Sequence, residues 1–131
     1  MPEKKTIEKA RKAKREGKSP STQAGEFVHE EIEHIREGKH GARSAKQAIA
    51  IGLSKARRAG VKLPPPKPGT TSEATRKQAK RDLAKGARKA KPSPKRSAAS
   101  KRRLKREGSA AASTLALSRQ AKAAARKRQS A

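Results

Sequence analysis

The stretch of sequence that decides the fold is residues 43–60, which read RSAKQAIAIGLSKARRAG. Ser44 and Gln47 are spaced as a capping box, in which the hydroxyl and the amide each satisfy an orphan backbone N–H at a helix start. Small and apolar residues then recur on one helical face: Ala45, Ala48, Ile49, Gly52, Leu53 and Ala56. Gly60 suits the left-handed position beyond the last turn. The pattern predicts a helix over about residues 45–59.

A second amphipathic pattern precedes this helix and predicts another, over about residues 24–37. One face is apolar and consists of Ala24, Phe27, Val28, Ile32 and Ile35. The other side carries Glu26, Glu30, Glu31, Glu33 and Arg36, so we expect an acidic face there. Gly38 suits the position that ends the helix, and the link to Ser44 is short enough for antiparallel neighbours. Residues 21–63 are therefore predicted to form a small antiparallel two-helix hairpin, with homodimerisation as an option because two helices bury little area.

The composition limits how much more of the chain can fold. The 131 residues include 37 Lys and Arg against 11 Asp and Glu, for a net charge of +26, and only 14 residues are Val, Ile, Leu or Phe. So few large apolar residues in so charged a chain favour disorder. We predict a mostly α protein with a flexible or helical leader of mixed charge (1–20), the hairpin, a proline-rich linker (64–69) and a largely disordered, helix-prone basic tail rich in Lys, Arg and Ala (70–131).

Two parts of the sequence resemble known families. The helix of residues 43–60, with its flanks over about 28–63, resembles an uncharacterised family of short basic bacterial proteins marked by a Lys-Gln-Ala-Ile-Ala-Ile-x-Leu-Ser-x-Ala-Arg helix. That resemblance implies a bacterial or phage origin and no activity. The tail resembles linker-histone tails and bacterial histone-like proteins in its Lys/Ala/Pro/Ser composition and in Ser93-Pro94-Lys95-Arg96. This second resemblance implies a turn that presents two cations to the minor groove.

Residues that would carry catalysis or bind a cofactor do not form a recognisable pattern. The chain has no Cys, which removes thiolate nucleophiles and Cys-ligated zinc. His29 and His34 are five residues apart, whereas the helical zinc motif needs a spacing of four. We therefore predict no enzyme, no metal site and no cofactor. The absence of a long apolar stretch and of bulky apolar residues in the tail argues against a membrane partner.

The charge distribution indicates the function. Residues 39–131 carry a net charge of +25, which calls for a polyanion, and nucleic acid is the abundant one in a bacterial cytoplasm. One Phe and no Tyr or Trp make base stacking unfavourable, so binding should proceed through phosphates. The leading hypothesis is a histone-like, nucleoid-associated protein that binds duplex DNA largely independently of sequence. The alternatives are a basic protein associated with structured ribosomal RNA, and a protein-interaction hairpin that its tail localises.

The candidate nucleic-acid-binding residues are the cations of the second predicted helix and of the tail. They are Lys46, Lys55, Arg57, Arg58, Arg76, Lys77, Lys80, Arg81, Arg88, Lys89, Lys95, Arg96, Lys101, Arg102, Arg103, Lys105, Arg106, Arg126, Lys127 and Arg128.

Overall fold

The structure is a computed structural model that describes residues 3–88 and 93–129. Its elements are helices α1 (Lys4–Arg15), α2 (Pro20–Arg36), α3 (Ala45–Arg58), α4 (Glu73–Ala87), α5 (Pro94–Lys105) and α6 (Thr114–Gln129), with a short 3₁₀ turn at Ala110–Ala112 before α6. The prediction of a mostly α protein is confirmed. The chain divides into two compact units. The first unit lies within Met1–Glu30 and Ile51–Lys91, and the second within Glu31–Ala50 and Pro92–Ala131.

Helix α2 begins earlier than the sequence pattern indicated. Pro20 takes the first helical position, where its missing N–H costs nothing, and Ser19 Oγ accepts a hydrogen bond from the Thr22 N–H at 3.4 Å. At the other end Gly38 has φ +77°, as predicted for a left-handed helix end. The N–H that follows it, on Lys39, donates to a carbonyl of the last turn at 3.0 Å.

The capping residues predicted for α3 act at its start. Ser44 Oγ accepts from the Gln47 N–H at 3.1 Å, and Gln47 Oε1 accepts from the Arg43 N–H at 2.5 Å. The glutamine therefore reaches one residue further back than a standard capping box. At the far end Gly60 has φ +104°, which confirms the predicted helix stop.

The first unit has a small apolar core made mostly of alanines. Its buried members come from α1, α2, α3 and the residue after Gly60: Ala10, Ala24, Phe27, Ala56 and Val61. Ile7 of α1 packs against this core, so the leader predicted as flexible or helical is a packed helix. Helix α3 lies close to α2, since a Cβ on Gly52 would lie 2.6 Å from Val28 Cα.

The second unit is built in the same way around a different cluster, which consists of Ile35, Ala42, Ala48, Ala111 and Ala112. Two of these residues come from the 3₁₀ turn, deep in the predicted disordered tail. The turn is fixed by Arg36, whose Nε donates to the Ala112 carbonyl at 3.0 Å.

The predicted combination of a self-contained hairpin and a disordered tail does not match this structure. Helices α2 and α3 contact each other, but residues beyond Gly69 complete both units: α4 buries Ala79, Asp82 and Gly86 in the first, and Ala111 and Ala112 are buried in the second. The predicted disorder rested on the small number of large apolar side chains. The contacts observed here are made mostly by small residues, which allow two backbones to approach closely. Burial of such small residues does not produce a clear hydropathy pattern in the sequence.

Candidate nucleic-acid interface

Helix α5 is strongly basic, because six of its twelve residues are exposed Lys or Arg and none is acidic. Ser93 Oγ accepts from the Arg96 N–H at 3.4 Å and Pro94 takes the first helical position, so the Ser-Pro step starts a helix. The turn that the histone-tail resemblance implied is therefore a helix N-terminus. The helix buries none of its residues, and none of its cations forms an ion pair within residues 3–88 and 93–129.

The cations of α5 are concentrated on one side of the helix. At 3.6 residues per turn, five of them lie within an arc of about 120°, opposite the half-buried Leu104. We call this set the α5 face; it consists of Lys95, Arg96, Arg102, Arg103 and Arg106. Lys105 lies on the flank of the α5 face and Lys101 lies on the side of Leu104, and both are exposed.

The end of α5 is joined to the α2–α3 link by backbone hydrogen bonds. The Gly41 N–H donates to the Leu104 carbonyl at 2.8 Å, and the Ala42 N–H donates to the Gly108 carbonyl at 3.1 Å. A Cβ on Gly41 would overlap the Glu107 carbonyl, so only glycine allows this approach. The second unit thus holds the α5 face by contacts that use none of its charges.

Helix α4 presents a second set of exposed cations, in the first unit. Its buried side holds Ala79, Asp82 and Gly86, and the side opposite carries Lys77, Lys80, Arg81 and Arg88, which we call the α4 stripe. The buried Asp82 fixes this orientation, because its carboxylate accepts from Ser54 Oγ and, at 3.1 Å, from Gln78 Nε2.

Helix α6 adds a stripe that the sequence analysis missed. Arg119 and Lys122 are exposed and lie on the same side of α6 as Arg126, with spacing i, i+3, i+7. That spacing was readable in the sequence, but only clustered cations were selected. Lys127 and Arg128, which were selected, are also exposed at the end of α6.

Three of the candidate arginines hold the fold together. Arg57 is 7% exposed and donates from Nε and one terminal nitrogen to the carbonyls of Leu63 and Pro64, at 3.2 and 2.9 Å. Burial lowers the pKa of Arg57 from its usual value, and the charge of Asp82 partly opposes that shift.

The other two arginines make similar backbone contacts. Arg76 Nε donates to the Pro66 carbonyl at 3.0 Å while its terminal nitrogen pairs with Glu73 at 2.8 Å. Arg58 Nε donates to the Ser54 carbonyl at 3.4 Å and lies 3.7 Å from Asp82. Arg57 and Arg76 join the linker to α3 and α4, whereas both contacts of Arg58 involve only its Nε.

The remaining candidates differ in exposure. Lys46 is exposed at the start of α3, whereas Lys55 is half-buried and interacts with other residues of the chain. Lys89 lies outside the described residues.

Two of the four glutamates of the acidic face predicted for α2 are buried, and the other two are partly exposed. Glu30 is 6% exposed and Glu31 is completely buried. Glu30 Oε1 accepts from the Glu3 N–H at 2.7 Å, within the first unit. In the second unit, potential ligand atoms of Glu31, His34 and His40 lie within 4.8 Å of one another. The spacing of His29 and His34 argued against a metal site at that pair, and no sequence pattern connected His40 with either of them.

These features define a small, mostly helical and strongly basic protein with sets of exposed cations on α4, α5 and α6, in addition to those of α1. Residues 3–67 match the model of a family of unknown function (DUF6496). This match agrees with the resemblance to an uncharacterised family and extends it over α1, which the predicted range of 28–63 left out. No curated protein and no solved structure matches the chain. None of the helices in the described ranges is long and apolar enough to cross a membrane.

Proposed function

We propose that this chain is a histone-like protein that binds duplex DNA through its phosphates, largely independently of base sequence. The α5 face is the observation that carries the proposal. Five cations on one side of an exposed helix, without intramolecular ion pairs among the described residues, form a surface whose charge is available to a polyanion. A nucleoid-associated location in a bacterial cytoplasm is part of the same proposal.

The dimensions of α5 suit a phosphate backbone. A 12-residue helix is about 18 Å long, and duplex DNA carries about one negative charge per 1.7 Å of its axis. Several side chains of the α5 face can therefore reach phosphates at the same time, and each phosphate neutralised releases counterion. The α4 stripe and the cations of α6 add charge of the same sign.

The aromatic content of the surface argues against single-stranded nucleic acid. The chain has one Phe and no Tyr or Trp, and Phe27 is 1% exposed within the core of the first unit. No aromatic ring of these types is thus available on which an unpaired base could stack. Binding through phosphates to a duplex remains the mode that the side chains support best.

The burial of Glu30 and Glu31 weakens the idea of an interaction hairpin. That alternative rested on an acidic helix face that would contribute nothing to DNA affinity, and two of its carboxylates are inside the protein. The alternative with structured RNA has the same electrostatic basis as the DNA proposal. A direct comparison of the two nucleic acids distinguishes them.

The test is a salt titration of binding to matched A·T-rich and G·C-rich duplexes and to a structured RNA. With about ten phosphate contacts, log affinity should fall against log salt with a slope of about −9, with little difference between the two duplexes. Replacing Arg102, Arg103 and Arg106 together by Gln should reduce that slope by about 2.7, since each lost contact removes about 0.9.

A variant with Lys4, Lys5 and Lys9 replaced by Gln is the matched control, because it removes the same charge from exposed positions of α1. It should change the slope less than the α5 variant. Equal effects of the two variants would show that net charge acts without a defined face. A shallow slope with strong preference for one duplex would contradict the proposal, and tighter binding to RNA at every salt concentration would favour the RNA alternative.

A further inference from the structure

The second unit brings together three side chains that could coordinate a metal ion. Glu31 and His34 are three residues apart on α2, so they lie on the same side of the helix. His40 follows the left-handed turn at Gly38, which returns the chain toward α2. One potential ligand atom from each of the three residues lies within 4.8 Å of the other two.

The backbone holds His40 in the tautomer that a metal requires. His40 Nδ1 lies 2.9 Å from the Gly41 carbonyl oxygen, which can only accept a hydrogen bond, so Nδ1 carries the proton. In a neutral ring Nε2 then presents its lone pair. Metal-binding histidines are commonly oriented in this way, by a carbonyl or carboxylate that accepts from the other ring nitrogen.

His40 Nε2 points into a buried position beside Glu31. The His40 side chain is 8% exposed, and Nε2 makes no hydrogen bond to any described residue. Glu31 Oε1 lies 2.5 Å from it, close enough for an ion pair but without hydrogen-bond alignment. Two lone pairs at this distance repel unless a positive charge lies between them. A proton on Nε2 would supply that charge, and so would a metal ion.

The position of His34 favours the metal ion. A proton shared by Glu31 and His40 needs no third ligand, yet His34 lies beside both, with its ring edge-on to His40 at a centroid distance of 6.4 Å. Two imidazole nitrogens and one carboxylate oxygen form a donor set that suits zinc, whereas magnesium and calcium prefer oxygen alone.

We propose that Glu31, His34 and His40 bind one Zn²⁺, with water in the fourth position. Zinc bonds of about 2.0–2.1 Å in a tetrahedral site place ligand atoms about 3.3 Å apart. The atoms Nε2 and Oε1 therefore separate by less than 1 Å from their present 2.5 Å, which rotation of the Glu31 carboxylate supplies. The three side chains alone give an open site, so water completes the coordination.

Zinc at this position would act on the part of the second unit that holds α5. His40 adjoins Gly41 and Ala42, whose N–H groups donate to the carbonyls of Leu104 and Gly108. Fixing His40 to α2 restrains these donors, so zinc binding should stabilise the attachment of the α5 face. The inference is independent of the proposed function, because it rests on none of the exposed cations.

The test is calorimetric titration of the full chain with Zn²⁺, together with Co²⁺ as a spectroscopic probe. The wild-type protein should bind one Zn²⁺, give the visible absorption of tetrahedral Co²⁺, and unfold at a higher temperature with Zn²⁺ than with Mg²⁺. His34→Gln and His40→Gln should each lose more than about 100-fold in Zn²⁺ affinity, since loss of an outer-shell partner alone costs about 10–100-fold. His29→Gln is the control, because His29 is exposed on the same helix.

Circular dichroism of each variant separates loss of binding from loss of fold. If His40→Gln does not fold, His34→Gln decides the result, since His34 is only half-buried. Equal Zn²⁺ affinity in the wild type, His34→Gln and His40→Gln would overturn the proposal and leave Glu31 and His40 as an ion pair. An equal loss of affinity in His29→Gln would also overturn it.

Discussion

Helices α4 and α5 are both basic stretches of one tail, with net charges of +3 over 15 residues and +6 over 12, but the fold uses them differently. Helix α4 buries Ala79, Asp82 and Gly86 in the first unit. Helix α5 buries no residue, and the backbone hydrogen bonds that join it to the α2–α3 link lie at its end, at the carbonyls of Leu104 and Gly108. Charge density alone does not explain the difference, because α1 has the same net charge of +6 over 12 residues as α5 and still has a buried side. The difference lies in the small residues Ala79 and Gly86 and the acid Asp82, which are buried on α4 and have no buried counterpart on α5.

The largest effects on the free energy of unfolding are expected at two glycines that lie against the backbone of a neighbouring segment. A Cβ on Gly86 would overlap the Arg57 carbonyl in the first unit, and one on Gly41 would overlap the Glu107 carbonyl in the second. Gly86→Ala and Gly41→Ala should each lower the free energy of unfolding of their own unit by about 3 kcal/mol, because backbone atoms have to move. Hydrogen exchange followed by mass spectrometry measures the two units separately.

Other glycines supply the controls for these two substitutions. Gly25 and Gly108 have no neighbouring atom within 4 Å of an added Cβ. Gly25→Ala should stabilise α2 by about 0.5–1 kcal/mol, because alanine loses less backbone entropy in a helix. If all four alanine variants had the same stability, the close approaches at Gly86 and Gly41 would be refuted.

A smaller effect is expected from the acid that anchors α4. Asp82 is 1% exposed, and its removal leaves the Ser54 hydroxyl and the Gln78 amide without their acceptor. Asp82→Ala should lower the free energy of unfolding of the first unit by about 2 kcal/mol, as measured by urea denaturation. Glu73→Ala on the same helix should cost less than about 1 kcal/mol, because Glu73 is exposed and its pair with Arg76 is solvated. Equal costs would mean that Asp82 does not anchor α4.

The sequence allowed part of this arrangement to be predicted. The end of α2 and both ends of α3 were accessible, because Gly38, Ser44, Gln47 and Gly60 act through local backbone geometry, whereas α2 begins at Pro20, earlier than predicted. The buried role of Asp82 was not, since a lone acid among Lys and Arg looks the same whether it faces solvent or a serine of another helix. The separation of structural arginines such as Arg57 from exposed ones also depends on tertiary contacts.

The smallest effect distinguishes helices that belong to a cooperative unit from those that open alone. Ala84 in α4 and Ala98 in α5 are both exposed positions inside a helix, so glycine has the same intrinsic cost of about 1 kcal/mol at each. Because α4 carries buried residues, Ala84→Gly should lower the stability of the whole first unit by that amount. Because α5 can open without exposing a core, Ala98→Gly should leave the midpoint of unfolding of the second unit unchanged and speed only the exchange of α5 amides. Duplex DNA should slow α5 exchange in the wild type and in Ala98→Gly, since bound phosphates favour the helical arrangement of the α5 face. A shift of the second unit's midpoint by Ala98→Gly as large as that of the first unit by Ala84→Gly would show that α5 unfolds together with its unit, and the contrast between the two helices would then fail.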